Sequence, residues 1–400
     1  MREELTRYVF AACCLFAGSA HCQAGVVTFG SFSAEFVTVG DPGNTADTNG
    51  YGAVAAAFQI MKYEVTNAQY AAFLNSVAKT NNYSLYHTKM GTSLRGGINR
   101  NGLSGAFSYT VKPNMGNKPV NFVSWFDAAR YSNWLHNGAT SSASTEFGAY
   151  TLLGATGGNA VAVNASATYF LPTENQWYKA AYYKGGSTTA GYWDYATQSN
   201  VNPTIVTATS KGNGSAGNTG NFANFNNRAD WNGLDGNVTT VGTNGRASYY
   251  GTHDMIGNVW EWNDLTGVSS PYRGIRGGGW NSIAASLSAA NRQSYSPTSN
   301  INDFGFRLAS LYASTDSGDG GIGGGNDNGG DGGTGGSGDG GGSNNDGGGS
   351  NNDGGGSNND GGGSNNDGGG GTGGEVPEPT SMAIFALGSL GIALRSRFRK

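Results

Sequence analysis

Cysteine is scarce in this chain of 400 residues, and its three cysteines, Cys13, Cys14 and Cys22, all lie near the amino terminus. Residues 1–24 have the order of a secretory signal peptide: two arginines, an apolar run, then small residues. After removal of that segment the chain contains no cysteine. This excludes disulfides, thiolate metal sites and cysteine nucleophiles from the exported protein.

Positive charge and histidine are also limited. The formal net charge is −4, residues 25–315 are close to neutral, and residues 316–378 contain no lysine or arginine. No basic helix and no aromatic RNA-binding stripe occurs, so we expect no binding to nucleic acid. Beyond residue 24 the histidines are His87, His136 and His253, too widely spaced to indicate an imidazole metal cluster.

Residues 25–315 are rich in Gly, Asn, Ser and Thr together with aromatic residues, which predicts a loop-rich α+β domain with few long helices. Alternating polarity predicts strands at 26–39 and 53–63, whereas 137–168 and 185–220 are predicted surface loops. Three helix starts are marked by capping-box pairs three residues apart: Thr66 with Gln69, Ser124 with Asp127, and Thr173 with Gln176.

Residues 251–262 (GTHDMIGNVWEW) place a carboxylate next to a predicted turn and two tryptophans. Trp260 and Trp262 flank Glu261, and Gly257 with Asn258 favours a turn just before them. A carboxylate beside turned main-chain carbonyls offers the oxygen ligands that Ca²⁺ prefers. The alternative is that both tryptophans are core residues and Glu261 pairs with an arginine such as Arg276.

Residues 316–374 consist almost entirely of Gly, Asn, Asp and Ser, with the repeat SNNDGGG. A segment that cannot bury apolar surface is predicted to be a disordered linker. Treated as a flexible coil, it spans roughly 40–45 Å at ~5–6 Å times the square root of residue number.

Residues 375–400 contain Pro377, Glu378 and Pro379, then an apolar run at 382–394, then four cationic residues. This order resembles the PEP-CTERM sorting signal of Gram-negative bacteria. The resemblance implies export, transient inner-membrane retention by a short transmembrane helix, and processing by an exosortase-type enzyme before attachment to the surface or release. The alternative is a single-span anchor that is never cleaved.

Residues 25–315 contain several motifs that resemble the formylglycine-generating enzyme, or sulfatase-modifying factor, family in family order. The motifs are YEVTNAQ at 63–69, PVNFVSW at 119–125, LPTENQW at 171–177, GNVWEW at 257–262, RGG at 276–278 and GFRL at 305–308. The resemblance implies an irregular α+β fold related to C-type lectins, with bound calcium.

The family's calcium sites carry over to two sets of residues. The first set comprises Asp254, the carbonyl oxygens of Gly257 and Val259, and the Glu261 carboxylate. The second set comprises Asn224, the Phe225 carbonyl, Asp235 and the Asn237 carbonyl. We therefore expect structural Ca²⁺ in this domain.

The resemblance does not extend to the catalytic residues. Oxidising members of the family carry two copper-binding cysteines after the RGG motif, and Ser282 and Leu287 occupy those positions here. Serine cannot replace a soft thiolate for Cu(I), and leucine provides no ligand. The sequence thus argues against copper and against formylglycine-generating activity.

Two functional hypotheses follow. The first is an exported surface or matrix protein whose domain is a calcium-stabilised binding module, with exopolysaccharide or matrix components as partners. The second is an enzyme of the same superfamily with a different reaction.

Overall fold

A computed structural model of the protein describes residues 25–158, 161–264 and 271–311. The helices in this part are α1 (Asn67–Val77), α2 (Lys89–Thr92), α3 (Trp125–His136) and α4 (Glu174–Tyr182), with 3-10 turns at Asn82–Ser84 and Ala284–Leu287. The strands are β1 (Gly25–Phe29), β2 (Phe32–Val39), β3 (Phe58–Met61), β4 (Ile98–Asn101), β5 (Ser108–Val111), β6 (Tyr169–Phe170), β7 (Thr204–Ile205), β8 (Phe222–Ala223), β9 (Trp260–Asn263), β10 (Arg273–Arg276), β11 (Gln293–Tyr295), β12 (Phe304–Gly305) and β13 (Ala309–Leu311).

The larger sheet has five strands in the order β1-β2-β3-β13-β6, with antiparallel pairing throughout. Its strand β13 comes from the end of the described chain and lies between β3 and β6. A second sheet has the order β11-β10-β9-β12, in which β9 and β12 are parallel. The short segment between β12 and β13 therefore connects the two sheets.

The three predicted capping boxes are confirmed. At α1, α3 and α4 the N-cap hydroxyl accepts from the main-chain N–H three residues on, and that residue's side chain accepts from the N-cap N–H. Each pair satisfies two donors that a helix start leaves without partners, which explains why these helices begin where the pattern indicates.

The strand predictions were partly wrong. Residues 26–39 form a hairpin, β1 and β2, because the chain turns at Gly30, whose φ of +53° suits glycine. Within 53–63 only β3 is extended. Alternation of polar and apolar residues does not reveal a two-residue turn, so the pattern predicted one long strand where the chain forms a hairpin.

Aromatic residues dominate the core. Trp125, Trp177 and Trp262 are fully buried, and the rings of Tyr70, Tyr131 and Phe306 pack against one another between α1, α3 and the chain after β12. These large side chains supply much of the buried apolar area of a domain whose strands are short.

No helix in the described part of the chain is long and apolar enough to cross a membrane. The predicted signal peptide, the linker, the membrane helix and the sorting residues Pro377, Glu378 and Pro379 lie outside the described residues.

Candidate functional site

Strand β9 presents its alternating residues to two different environments. Trp260 and Trp262 are buried, and the Trp262 indole donates to the Val123 carbonyl over 3.0 Å. Glu261, which points the other way, is also buried. Both tryptophans are thus core residues, and the strand holds a carboxylate inside the domain.

Arg307 forms a bidentate ion pair with the Glu261 carboxylate. Arg307 Nε lies 2.7 Å from Oε2 and Nη2 lies 2.7 Å from Oε1, while the Trp177 indole donates to Oε2 over 2.8 Å. Burial alone lowers the pKa of Arg307, but the Glu261 carboxylate outweighs that effect and raises it. The arginine partner of Glu261 is therefore Arg307. Arg276 instead pairs with Glu174, over 2.8 Å.

Three buried acids surround Arg307, and we call Glu64, Asp254 and Glu261 the acidic cluster. Asn258 Nδ2 donates to Glu64 Oε1 over 3.0 Å, whereas Glu64 Oε2 lies 3.9 Å from Arg307 and has no hydrogen-bond partner among the described residues. Burial, followed by the negative charge of Asp254, raises the pKa of Glu64 well above its usual range. The cluster thus contains three buried carboxyl groups, whereas the single positive charge of Arg307 can neutralise only one carboxylate.

Two members of the first predicted calcium set, Asp254 and Glu261, belong to this cluster, but among the described residues no three acidic or histidine side chains lie close enough together to form a metal-binding group. The Asp254 carboxylate accepts from the Gly242 N–H and from Asn244 Nδ2, the latter over 2.9 Å. Since Glu261 already binds Arg307 and Trp177, a cation bound by both carboxylates would have to share them with these donors. Gly257 and Val259, which contribute carbonyls in the prediction, lie between the two acids in sequence and are buried.

The second set is brought together in part. Asn224 Nδ2 donates to the Asn237 carbonyl over 2.9 Å and to Asn258 Oδ1 over 3.2 Å. Asn224 Oδ1 is buried and finds no hydrogen-bond partner in residues 25–158, 161–264 and 271–311. Phe225 directly follows Asn224 and is buried. Asp235 has an exposed side chain, and its main-chain carbonyl accepts from Arg95 over 2.9 Å. Asn258 links this set to the acidic cluster.

Ser282 and Leu287, the two positions predicted to correspond to the family's catalytic cysteines, lie close together. A Cβ added to Gly278 would lie 2.8 Å from a methyl group of Leu287 and 3.4 Å from the Ser282 Cβ. Leu287 is fully buried, and Ser282 Oγ accepts from the Gly279 N–H over 2.9 Å. The apolar side chain of Leu287 thus fills one position. At the other, the Ser282 hydroxyl is hydrogen-bonded within its own loop.

Sequence reasoning missed four participants: Glu64, Trp177, Asn258 and Arg307. Each lies in a motif already quoted, YEVTNAQ, LPTENQW, GNVWEW or GFRL. The motifs are far apart in sequence, and only the fold shows that Trp177 and Arg307 meet at the Glu261 carboxylate while Asn258 binds the neighbouring Glu64. The sequence feature that could have pointed to these four residues is the occurrence of all four motifs in one chain.

The mixed helix and sheet content fits a fold of the formylglycine-generating-enzyme type. A family model described as "Sulfatase-modifying factor enzyme 1-like domain" matches residues 22–311. The chain belongs to this family. A second model, the "PEP-CTERM protein-sorting motif", matches residues 375–400.

Solved structures similar to this chain include Treponema denticola variable protein 1, with 20% identity, a TM-score of 0.45, and coverage of 72% of this chain and 99% of that one. CarF is 23% identical, with a TM-score of 0.44 and coverage of 70% and 98%. PvdO from Pseudomonas aeruginosa is 16% identical, with a TM-score of 0.39 and coverage of 72% and 98%. No curated protein matches the chain.

Proposed function

We propose that the protein is exported to the cell envelope, where its sulfatase-modifying-factor domain acts as a non-catalytic, calcium-stabilised binding module. The observation that carries this proposal is the replacement of both catalytic cysteines, by Ser282 and Leu287. Neither side chain binds Cu(I) as a thiolate does. The family domain is matched over residues 22–311 in spite of these replacements, which supports a role in binding.

Two observations support structural Ca²⁺. The acidic cluster sets three buried carboxyl groups against one buried arginine, and an unneutralised buried charge is costly. Within the described part of the chain, two buried oxygens, Glu64 Oε2 and Asn224 Oδ1, have no hydrogen-bond partner, and such oxygens are ligands suited to a hard cation. The ligands would be drawn from Asp254, Glu261, Asn224 and nearby carbonyls, and the ion would supply charge balance and rigidity, not reaction chemistry.

The carboxy-terminal sorting motif supports the envelope location. In this proposal an exosortase-type enzyme processes the chain near Pro377, Glu378 and Pro379 after the apolar run has paused in the inner membrane. The composition of residues 316–374 suits a tether, and the partners are exopolysaccharide or matrix components.

Oxygen consumption tests whether the domain is catalytic. The purified protein is incubated with a cysteine-containing peptide, with and without copper, and oxygen uptake is followed. We expect no uptake above the peptide-free control. Copper-dependent turnover would reject the non-catalytic proposal in favour of an enzyme.

A glycan and matrix-protein array tests binding directly. We expect saturable binding to at least one class of envelope polymer. The absence of binding to every polymer on the array would contradict the binding-module proposal.

A further inference from the structure

An open cleft of about 490 Å³ lies between residues 87–93 and 300–302. Its lining includes His87, Lys89, Phe122 and the run from Asn300 to Asn302. This volume is within the range of ~300–1,000 Å³ that is typical of small-molecule sites. We call it the asparagine cleft. It does not include the acidic cluster or the positions of the missing cysteines.

The wall formed by residues 300–302 is fixed to the core. The Asn302 carbonyl accepts from Asn121 Nδ2 over 2.8 Å and from the Trp280 indole over 3.3 Å. The Ile301 carbonyl accepts from the Phe122 N–H over 3.0 Å. This wall of the cleft therefore loses little conformational freedom when a ligand binds.

The polar side chains of the cleft are available to a ligand. In the part of the chain that the structure describes, the side chains of Lys89, Asn300 and Asn302 make no hydrogen bond or ion pair. The described residues that line the cleft include no carboxylate, so none of them neutralises the Lys89 ammonium group. The cleft therefore offers one positive charge and two amides, which favours a ligand with one negative charge and several hydroxyls.

Apolar surface lies beside these groups. The Phe122 ring stacks on the His87 ring, with centroids 5.9 Å apart and an angle of 18°, and Ile301 is 43% exposed. Burial, with a smaller contribution from Lys89, lowers the pKa of His87, which favours the neutral ring. Sugar rings combine an apolar C–H face with a hydroxyl edge, which matches this arrangement.

We propose that the asparagine cleft binds sugar-acid residues of an acidic polysaccharide, with Lys89 paired to the sugar carboxylate and Asn300 and Asn302 hydrogen-bonded to ring hydroxyls. The inference rests on the proposed binding function and specifies its site and ligand class. An acidic peptide would satisfy Lys89 but would leave the two amides without a regular set of hydroxyl partners.

Calorimetric titration of the full-length protein tests the inference, with tetragalacturonate as the probe and its methyl ester as the uncharged equivalent. We expect saturable binding of the acid and at least tenfold weaker binding of the ester. Lys89→Ala and Asn300→Ala should each weaken binding of the acid about tenfold or more. Lys79→Ala is the matched control, because Lys79 is an exposed lysine outside the cleft, and it should stay within twofold of wild type.

Three results would overturn the inference: equal affinity for acid and ester, equal effects of Lys79→Ala and Lys89→Ala, or equal affinity for a glutamate tetrapeptide. In each case polymers bound on the array would still support the binding-module proposal, so the site inference alone would fail. If no polymer binds on the array either, the binding function itself is rejected.

Discussion

Arg307 and Glu261 form a buried two-point ion pair, with both hydrogen bonds 2.7 Å long and neither side chain more than 1% exposed. The same guanidinium donates to the carbonyls of Met61, Lys62 and His253. The Arg307 side chain thus forms hydrogen bonds to the end of β3, to the loop before β9, and to β9 itself.

Removing the charge of Arg307 should destabilise the domain strongly. Arg307→Met leaves Glu261 buried without its partner, and breaking a buried pair in this way typically costs about 3–5 kcal/mol. Urea denaturation measures the change in the free energy of unfolding. Arg228→Met, at an exposed arginine, is the control and should stay within about 0.5 kcal/mol of wild type.

The double variant Arg307→Met, Glu261→Met separates charge from packing. We expect it to be more stable than Arg307→Met alone, since no uncompensated carboxylate remains. A loss of less than about 1 kcal/mol in Arg307→Met would contradict the central role assigned to this pair.

The contrast between the capping boxes and the acidic cluster shows what the sequence can predict. Thr66 and Gln69 are three residues apart, so their pairing depends on local geometry that the pattern itself specifies. Glu261 and Arg307 are 46 residues apart, and Glu64 is farther still in sequence. Several arginines were equally plausible partners for Glu261 until the parallel pairing of β9 with β12 brought Arg307 beside it.

Calcium removal should lower the thermal stability of the domain. A cation bound only by the folded state stabilises it by mass action, by about 2.7 kcal/mol at one hundred times the dissociation constant. We expect a chelator to lower the Tm by several degrees, and re-addition of Ca²⁺, but not of Na⁺ at equal ionic strength, to restore it. Differential scanning calorimetry measures both.

Glu261→Gln distinguishes the two roles of that carboxylate. If Glu261 binds the cation, the variant should lose most of its sensitivity to chelator. If the wild-type Tm does not respond to chelator, Glu261 serves only as the partner of Arg307, and the calcium proposal fails.

Asp127 should make stability depend on pH. Burial raises the pKa of this capping carboxyl to about 7 from the ordinary 3.8, against the opposing hydrogen bonds from Ser124. Between these values the folded state holds a proton that the unfolded state has released. The associated stability is fully present below about pH 4 and is lost as the pH rises through 7, at up to about 1.4 kcal/mol per pH unit.

Urea denaturation from pH 5 to pH 8 measures this effect. Asp127→Asn cannot titrate but retains an oxygen that accepts from the Ser124 N–H. We expect wild type to lose about 2–3 kcal/mol more than the variant over this range. Burial also raises the pKa of Asp264 to about 7, so both proteins share that second contribution. Identical pH profiles would show that Asp127 is ionised in the folded state at pH 5.

Deletion of residues 375–400 should change the location of the protein and leave its domain folded. The family domain matches residues 22–311, and the sorting motif matches a separate segment at 375–400. In the proposed sorting route the terminal cationic residues resist translocation, so that the apolar run at 382–394 would pause in the inner membrane with Pro377, Glu378 and Pro379 outside. The truncated protein lacks this pause and should appear directly in the periplasm or medium, with the Tm of its domain unchanged.

Mass spectrometry of the intact protein from surface and medium fractions tests the cleavage step. We expect mature material to end close to residue 377 and to lack the peptides that contain Arg395 and Lys400. The matched variant, Pro377→Ala with Glu378→Ala, should accumulate uncleaved in the inner membrane, because it keeps the apolar run and the basic end but not the processing motif. Recovery of surface material still joined to residues 395–400 would instead identify the segment as a permanent single-span anchor.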